Sequence, residues 1–600
     1  MIKKTTIILI LLIAVPLLAK KYKGAEYRSL DYYKYGKFEV RYKPVDRLAI
    51  VSSFFTYSDS VSQTGDWNEI DIEIIAKYEQ SVQFNIIDPV PGYEIRHNHV
   101  QFNPYDDYHV YGFEWTPDYV AWFIDSVEVY RISGRNVSTL NHGQKIMMNI
   151  WNPEFIDWVG KWDDTFMPAF TYYDWISYSS FTPGSGNYGT DNNFTFEWKD
   201  DLDSMDTNRW ETATHTFAGN KSDFLPENVI FQDGKMILAL TYQDAVGFTD
   251  NNPPAFMWAS ANYNSDITIK YSEEMDANVM ENVSNYILPG AQVLSANLAP
   301  NQTVITLKTN NYDPFTASSV IIKSAVDDWE VPNSVGLKSY VVFPIEKLTF
   351  PLKLNMGGEA FGEFIPDLLW TAETTHGYPQ GNPKKWKPDI QNTELDQLYQ
   401  EERIGIPYYL IKLDNGIYNI KLHFAENKFD AAGKRMFDII VENEEYFSDL
   451  DIYAEAGKNS ALIKEINNVT VDDYRLDIYF QEELDSAVVA GIEIEQIATG
   501  VGESQSVPEE IKLYQNYPNP FNGTTKIRYS LNKPQEVTIK FFDIKGELVY
   551  KKELTNNSKG INEFSWRPTT NRNQSLNSGV YFYRVEGENI SNTNKIVYLK

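Results

Sequence analysis

Apolar and polar residues alternate along most of this chain. The clearest case is Glu69-Ile70-Asp71-Ile72-Glu73, which runs on into Ile74 and Ile75. Strict alternation of this kind predicts a strand. Alternate side chains of a strand share a face. Glu69, Asp71 and Glu73 therefore project together, and Ile70 and Ile72 point the other way into a core. The same period places Phe55 with Tyr57 in Val51–Tyr57, Gln83 with Asn85 in Val82–Asn85, and Asn149 with Trp151 in Met148–Asn152. Trp67 falls on the carboxylate face. Further alternating runs occur at Lys235–Leu240, Ile267–Tyr271 and Val304–Lys308. The pattern predicts an all-β chain built of sandwiches.

Three carboxylates in a row repel one another, so their retention calls for an offsetting use. Carboxylates whose pKa values are driven apart are the working parts of a retaining glycosidase. One attacks the sugar carbon; the other protonates the leaving oxygen and later activates water. Residues four apart on a strand have α-carbons about 13 Å apart, whereas retaining chemistry places the carboxyl groups about 5–5.5 Å apart. Glu69 and Glu73 must then lean together on a twisted, concave sheet. A solvated acidic sheet edge is the plainer reading of the five residues alone. The neighbouring aromatic platforms and amides favour a sugar groove.

Several stretches carry a resemblance over residues 24–178. They are Gly24–Arg28, Val51–Tyr57, Trp67–Glu73, Val82–Asn85, Tyr108–Pro117, Lys145–Asn152 and Tyr172–Tyr178. In this order they resemble glycoside hydrolase family 16, and most of all its bacterial lichenases, the endo-β-1,3-1,4-glucanases. The resemblance implies a jelly-roll sandwich, with Glu69 as nucleophile, Glu73 as acid/base and Asp71 assisting both. It implies groove contacts from Glu26, Arg28, Phe55, Tyr57, Trp67, Gln83, Asn85, Asn149, Trp151 and Trp158. Ile87 departs from the family, some members having a groove Tyr there. Members acting on β-1,3-glucans, agars and carrageenans resemble a bulged E-x-D-x-x-E strand. The unbulged strand here favours the lichenase branch or the plant-type xyloglucan transferases. Phe194–Asp203 and Asp233–Thr241 resemble the usual opening strands of the family, yet they follow the segment Thr182–Gly186, read as a linker. This order looks like a circular permutation, with a catalytic domain over residues 22–245.

Lys3 and Lys4 followed by the apolar run Ile7–Ala19 read as a signal peptide over residues 1–19. The run is too short to span a bilayer. There is no cysteine, which excludes disulfides and thiol catalysis. A net charge of −30 argues against nucleic acid and suits a neutral polymer substrate. After Asn252-Pro253-Pro254, residues 258–345 read as an Ig-like spacer. Residues 349–497 resemble a malectin-like carbohydrate-binding domain through Leu354–Glu359, Leu398–Arg403, His423–Glu426, Gly433–Asp438 and Val489–Ile494. The resemblance implies sugar contacts at Tyr399, Phe429 and Asp485, with Lys428 in place of an aromatic. A structural sandwich that binds nothing is the alternative. Residues 505–600 resemble the type IX secretion sorting domain through Leu513–Asn522, Gly579–Arg584 and Lys595–Lys600. That implies export through the outer membrane to the medium or cell surface, with the type IX machinery as a partner.

His97 and His99 have metal-ligand spacing on a strand, but no third ligand is apparent, and a solvated loop is the preferred reading. The acidic run Asp200–Asp206 lacks the Gly and closing Glu of an EF-hand. The family resemblance instead implies a structural calcium at Asp174, Asp201 and Gly234, and no cofactor for catalysis. The sum is a monomeric, secreted endo-β-glucanase acting on β-1,3-1,4-glucan. Another family 16 β-glucanase or xyloglucan-active enzyme, or an inactive glucan-binding protein, are the alternatives.

Overall fold

The computed structural model describes residues 20–61, 65–88 and 96–499. In the C-terminal part it describes 512–513, 516, 521, 523–531, 535–543, 548–555, 557, 560–570, 575–587 and 591–598. The signal-peptide expectation and most of the Leu513–Asn522 motif lie outside the described residues.

The alternating runs become strands. In chain order they are β1 (Tyr22–Ser29), β2 (Gly36–Lys43), β3 (Val51–Tyr57), β4 (Glu69–Ile74), β5 (Ser81–Ile87), β6 (Arg96–His99), β7 (His109–Trp115) and β8 (Tyr119–Ile124). There follow β9 (Val127–Ser133), β10 (Lys145–Trp151), β11 (Ala169–Phe181), β12 (Phe194–Asp200), β13 (Trp210–Thr212), β14 (Ser222–Phe224), β15 (Val229–Gln232) and β16 (Lys235–Tyr242). Hydrogen bonding links them in the order β6-β5-β4-β3-β10-β1-β16-β11-β2-β7-β8-β9. The ribbon folds back on itself, so that Ile70, Ile72, Phe84, Met148 and Ile150 from one layer meet Phe38, Val40, Phe113, Trp122 and Tyr173 from the other. Phe84 stacks on Trp122 with ring centroids 5.4 Å apart, an offset contact that adds to the area buried. This is a jelly-roll sandwich whose core takes every second residue of each strand.

The strands after residue 193 belong to this sandwich. β16 pairs with β1 on one side and β11 on the other, so it joins the two layers. Its Met236, Leu238 and Leu240 are buried in the common core. Thr182–Gly186 is therefore not a linker between bodies. It lies in the connection between paired strands, Phe181 of β11 facing Phe194 of β12. His97 and His99 also differ from expectation. They lie on β6, and His99 stacks on Tyr479 at 3.6 Å. Tyr479 covers His99 and the Tyr78 ring lies 4.3 Å from His97, so neither ring is a solvated loop residue.

Residues 256–342 form a four-stranded and a three-stranded sheet around Ile267, Ile269, Tyr271, Ile305 and Val320. They pack on the jelly roll through Trp329, which stacks on Phe170 at 5.5 Å, and through the Lys43–Glu274 ion pair at 2.9 Å. Residues 352–499 form two five-stranded sheets and a smaller one, closed over Leu354, Tyr409, Leu422, Phe437 and Ile478. The unit Val501–Lys600 is separate and again all-β. Its core stacks Phe541 on Trp566 at 3.8 Å.

Candidate active site

Strand register builds the site. Glu26, Asn149, Ser53, Glu73, Gln83 and His97 stand opposite one another in succession across β1, β10, β3, β4, β5 and β6. Two residues along, a second row holds Arg28, Met147, Phe55, Asp71 and Asn85. A third holds Lys145, Tyr57, Glu69 and Ile87. Rows two residues apart share a face, and the intervening isoleucines of β4 fill the core. The register runs unbroken from Ser52 opposite Ile74 to Tyr57 opposite Glu69, and from Glu69 opposite Ile87 to Glu73 opposite Gln83. β4 therefore carries no bulge. Ile87, the residue that departs from the family pattern, faces Glu69 directly.

Each carboxylate has its own surroundings. Trp67 Nε1 donates to Glu69 Oε2. Burial pushes Glu69 up to about 7, partly offset by hydrogen bonds from Trp67 and from Asp71. Burial, then the charges of Glu69 and Glu73, hold Asp71 well above the usual carboxylate range. Asp71 donates to Glu69, a contact that favours the protonated form of Asp71 and the ionised form of Glu69. Gln83 Nε2 donates to Glu73 Oε2. Burial, then the charge of Glu69, push Glu73 up to about 8 against that donor. The three titrate together, with Glu73 above Glu69. Trp122, from the opposite layer, donates through Nε1 to the Asp71 carbonyl at 3.1 Å and fixes the middle of the strand.

Aromatic rings wall the rows at both ends. Trp67 is 44% exposed and meets Tyr57 edge-on, with centroids 6.0 Å apart. At the Glu73 end Trp151 lies 6.0 Å from Trp158 and 4.9 Å from Phe217. Trp158 Nε1 donates to Gln83 Oε1 at 3.0 Å. All ten expected groove residues are thereby gathered on or beside one face, although Phe55 is only 8% exposed. The sequence reading missed Ser53, whose Oγ bonds Asn149 Oδ1 at 2.6 Å. It also missed Glu211, which pairs with Arg28 at 3.0 Å, His215, 3.9 Å from Glu26, and Phe217. These last three come from the segment after β12, where no alternation marks them. Two buried acceptors in the rows, Glu26 Oε1 and Asn85 Oδ1, have no hydrogen-bond partner. Buried polar atoms are rarely left so.

Comparison with known proteins agrees with this geometry. The model for glycosyl hydrolases family 16 matches residues 12–177. A beta-glucanase of Fibrobacter succinogenes is 38% identical over 240 residues, 39% of this chain and 68% of that protein. The chain belongs to glycosyl hydrolases family 16. A beta-glucanase of Acetivibrio thermocellus is 42% identical over 159 residues, 26% of this chain and 46% of that protein. A solved lichenase from a mouse hindgut metagenome is 33% identical, covering 26% of this chain and 78% of that one at a TM-score of 0.23. A malectin domain matches residues 351–499, and a secretion system C-terminal sorting domain matches 515–599. This family 16 hydrolase thus carries the tail that directs type IX secretion to the cell surface or beyond. Among the described residues no helix is long and apolar enough to cross a membrane.

The other expected sites fare differently. Tyr399 is 1% exposed and its hydroxyl bonds His423 Nδ1 at 2.7 Å, so it offers no face to a sugar. Asp485 is paired with Lys428 at 2.6 Å, and Phe429 lies beneath the Lys428 ammonium at 4.4 Å. Lys428, standing where an aromatic was expected, therefore occupies the two remaining candidates. At the expected calcium site the topology does bring the residues together. β11 exchanges β16 for β12 between Tyr173 and Ile176, with Asp174 in the gap. The Asp174 carboxylate, however, is held by Arg41 at 2.5 Å. The guanidinium stands where a cation's charge would be, so the fit to calcium is poor. Elsewhere Asp250, Glu273 and Asp327 converge where the jelly roll meets the next sheets, their oxygens within 4.8 Å of one another. Burial, and hydrogen bonding to Asp250, push Glu273 up to about 8.

Proposed function

We propose that this chain is a secreted endo-β-glucanase that hydrolyses mixed-linkage β-1,3-1,4-glucan with retention of configuration. The observation that carries the reading is the unbulged strand β4, with Glu69 and Glu73 on one face and the neutral Asp71 between them. Glu69, ionised and hydrogen-bonded by Trp67 and Asp71, attacks the anomeric carbon. Glu73, the more reluctant to ionise, gives its proton to the leaving oxygen. It then takes a proton from the water that cleaves the glycosyl-enzyme. Asp71 shares its proton with Glu69, which tempers the charge of the nucleophile in the free enzyme. As Glu69 becomes neutral in the intermediate, that proton is free to return wholly to Asp71.

The substrate reading rests on the groove and on relatives that are named beta-glucanases. Glu26 Oε1 and Asn85 Oδ1, which accept no hydrogen bond within the protein, suit sugar hydroxyls, and the exposed Trp67 suits the flat face of a glucose ring. We further propose a circularly permuted jelly roll over residues 22–245. The match to the Fibrobacter protein runs for 240 residues, against 159 for the Acetivibrio one. A spacer over 258–345, a malectin-like domain over 349–497 and a sorting domain over 505–600 complete the layout. The test is hydrolysis of lichenan, laminarin, carboxymethyl cellulose and xyloglucan side by side, with lichenan the preferred substrate. Preference for laminarin or xyloglucan moves the enzyme to another branch of the family.

A further inference from the structure

The malectin domain is docked on the hairpin that carries Glu73 and Gln83. Strand β4 ends just after Glu73, and Gln83 lies two residues into β5, so the turn Tyr78-Glu79-Gln80 that leads from their connection into β5 controls how the two side chains meet. All three residues of that turn are held from residues 351–499. Glu79 pairs with Arg475 at 2.9 Å and accepts from Trp370 Nε1 at 3.1 Å. The Glu79 backbone N–H donates to Tyr408 at 2.8 Å, and Tyr479 donates to Gln80 Oε1 at 3.1 Å. The Tyr78 hydroxyl lies 2.5 Å from Gln380 Oε1 and 2.9 Å from the Trp158 carbonyl.

The Tyr78 contact leads to the chemistry. An indole N–H only donates. Trp158 Nε1 at 3.0 Å therefore fixes the carbonyl end of the Gln83 amide toward itself and turns the NH2 end to Glu73. Trp158 sits on a four-residue helix, Ile156–Val159, too short to hold its own position. Tyr78 anchors its backbone. Tyr78 has one proton and two acceptor neighbours. If the Gln380 amide turns to donate to the phenol oxygen, the phenol proton goes to Trp158, and both contacts are satisfied.

We propose that Gln380 of the malectin domain and Tyr78 are positioning residues for the acid/base carboxylate, acting through Trp158 and Gln83 on Glu73. The inference rests on the role assigned to Glu73 above. Nothing reaches Glu69 by this route, so the effect is confined to steps that need the acid or base. The malectin domain is then a brace for the catalytic hairpin, whatever it binds.

The experiment uses the full chain and two substrates. One is lichenan, whose leaving sugar needs Glu73 as an acid. The other is an aryl β-glycoside with a dinitrophenol leaving group, which departs without one. Tyr78→Phe and Gln380→Leu should each lower kcat/KM on lichenan about fivefold to tenfold, the effect of losing one orienting hydrogen bond. Both should leave kcat/KM on the aryl glycoside within about twofold. Gln380→Glu, which can only accept and so draws the phenol proton away from the Trp158 carbonyl, should lose as much lichenan activity as Gln380→Leu. The alkaline limb of the lichenan pH profile should move upward in Tyr78→Phe, because the donor that favours ionised Glu73 is displaced. Equal losses on both substrates, or no loss on lichenan, overturn the proposal. Glu73→Ala separates the two readings. If it too spares the aryl glycoside, the role of Glu73 stands and the relay alone is at stake. If it does not, the assignment of Glu73 itself fails.

Discussion

Glu73 and Gln83 face each other across the β4–β5 pair, and the Gln83 amide donates to the Glu73 carboxylate. One donor set against burial and a neighbouring negative charge leaves Glu73 protonated at neutral pH, as a general acid requires. The first prediction concerns this contact. Gln83→Leu removes stabilisation of the ionised form, so the Glu73 pKa rises. The alkaline limb of kcat/KM should therefore shift to higher pH, while the acid limb, governed by Glu69, stays in place. A pH–rate profile on lichenan reads both limbs. A downward shift of the alkaline limb contradicts the assignment.

Replacing Glu69 or Glu73 with Gln should each cost about 10²–10⁴-fold in activity, for different reasons. Azide distinguishes them. With an activated substrate, Glu73→Ala plus azide should yield the β-glycosyl azide, because the nucleophile still forms its intermediate. Glu69→Ala plus azide should yield the α-azide by direct attack. NMR of the products identifies the anomer, and the reverse pattern means the roles are exchanged.

The site should also weigh on stability. Burial pushes the folded Glu73 up to about 8, above the ordinary glutamate value of 4.5. The folded protein thus binds the proton more tightly than the unfolded chain. Its contribution to stability is complete below 4.5 and is lost as pH rises through 8. Glu73→Gln, neutral throughout, should melt above the wild type at pH 9 and close to it at pH 4.5. Each kcal/mol recovered is worth about 2–4 °C in a domain of this size. Calorimetry at the two pH values checks the crossover.

Much of this was legible in the sequence because period-two alternation fixes both the strand and its faces. The E-x-D-x-E run, the Gln83/Asn85 pair and the Asn149/Trp151 pair all fall on the face that alternation assigns them. Rows across strands are a different matter. Ser53 and Met147 share faces with Phe55 and Asn149 by the same period, but what each stands against is set by register, which depends on partners far apart in the chain. Glu211, His215 and Phe217 reach the groove because β13 and β14 pair with β1, which no local pattern announces. His97 and His99 looked like loop residues because the aromatic ring covering His99 lies some 380 positions away, at Tyr479. Tyr399 was misplaced for a related reason. A tyrosine on a short helix can point either way, and here its hydroxyl found His423 in the interior.

The segment after residue 193 should be indispensable. Met236, Leu238 and Leu240 of β16 are fully buried between the layers. Each is worth about 1.5–3 kcal/mol, a sum comparable with the whole stability of a domain, about 5–15 kcal/mol. Their loss would also leave β1 and β11 with open edges. A fragment ending near residue 190 should be insoluble or inactive. One ending near residue 250 should fold and keep turning over an aryl glycoside, since every row residue is retained. Solubility and circular dichroism of the two fragments decide it.

The stereochemistry of the first product tests the nucleophilic role of Glu69 most directly. Lichenan should be followed by NMR in the first minutes of digestion, before mutarotation. New reducing ends should appear as the β-anomer, and the polymer should shorten internally. An α-anomer formed first would mean that Glu69 is not a nucleophile, and the reading of the three carboxylates would be wrong.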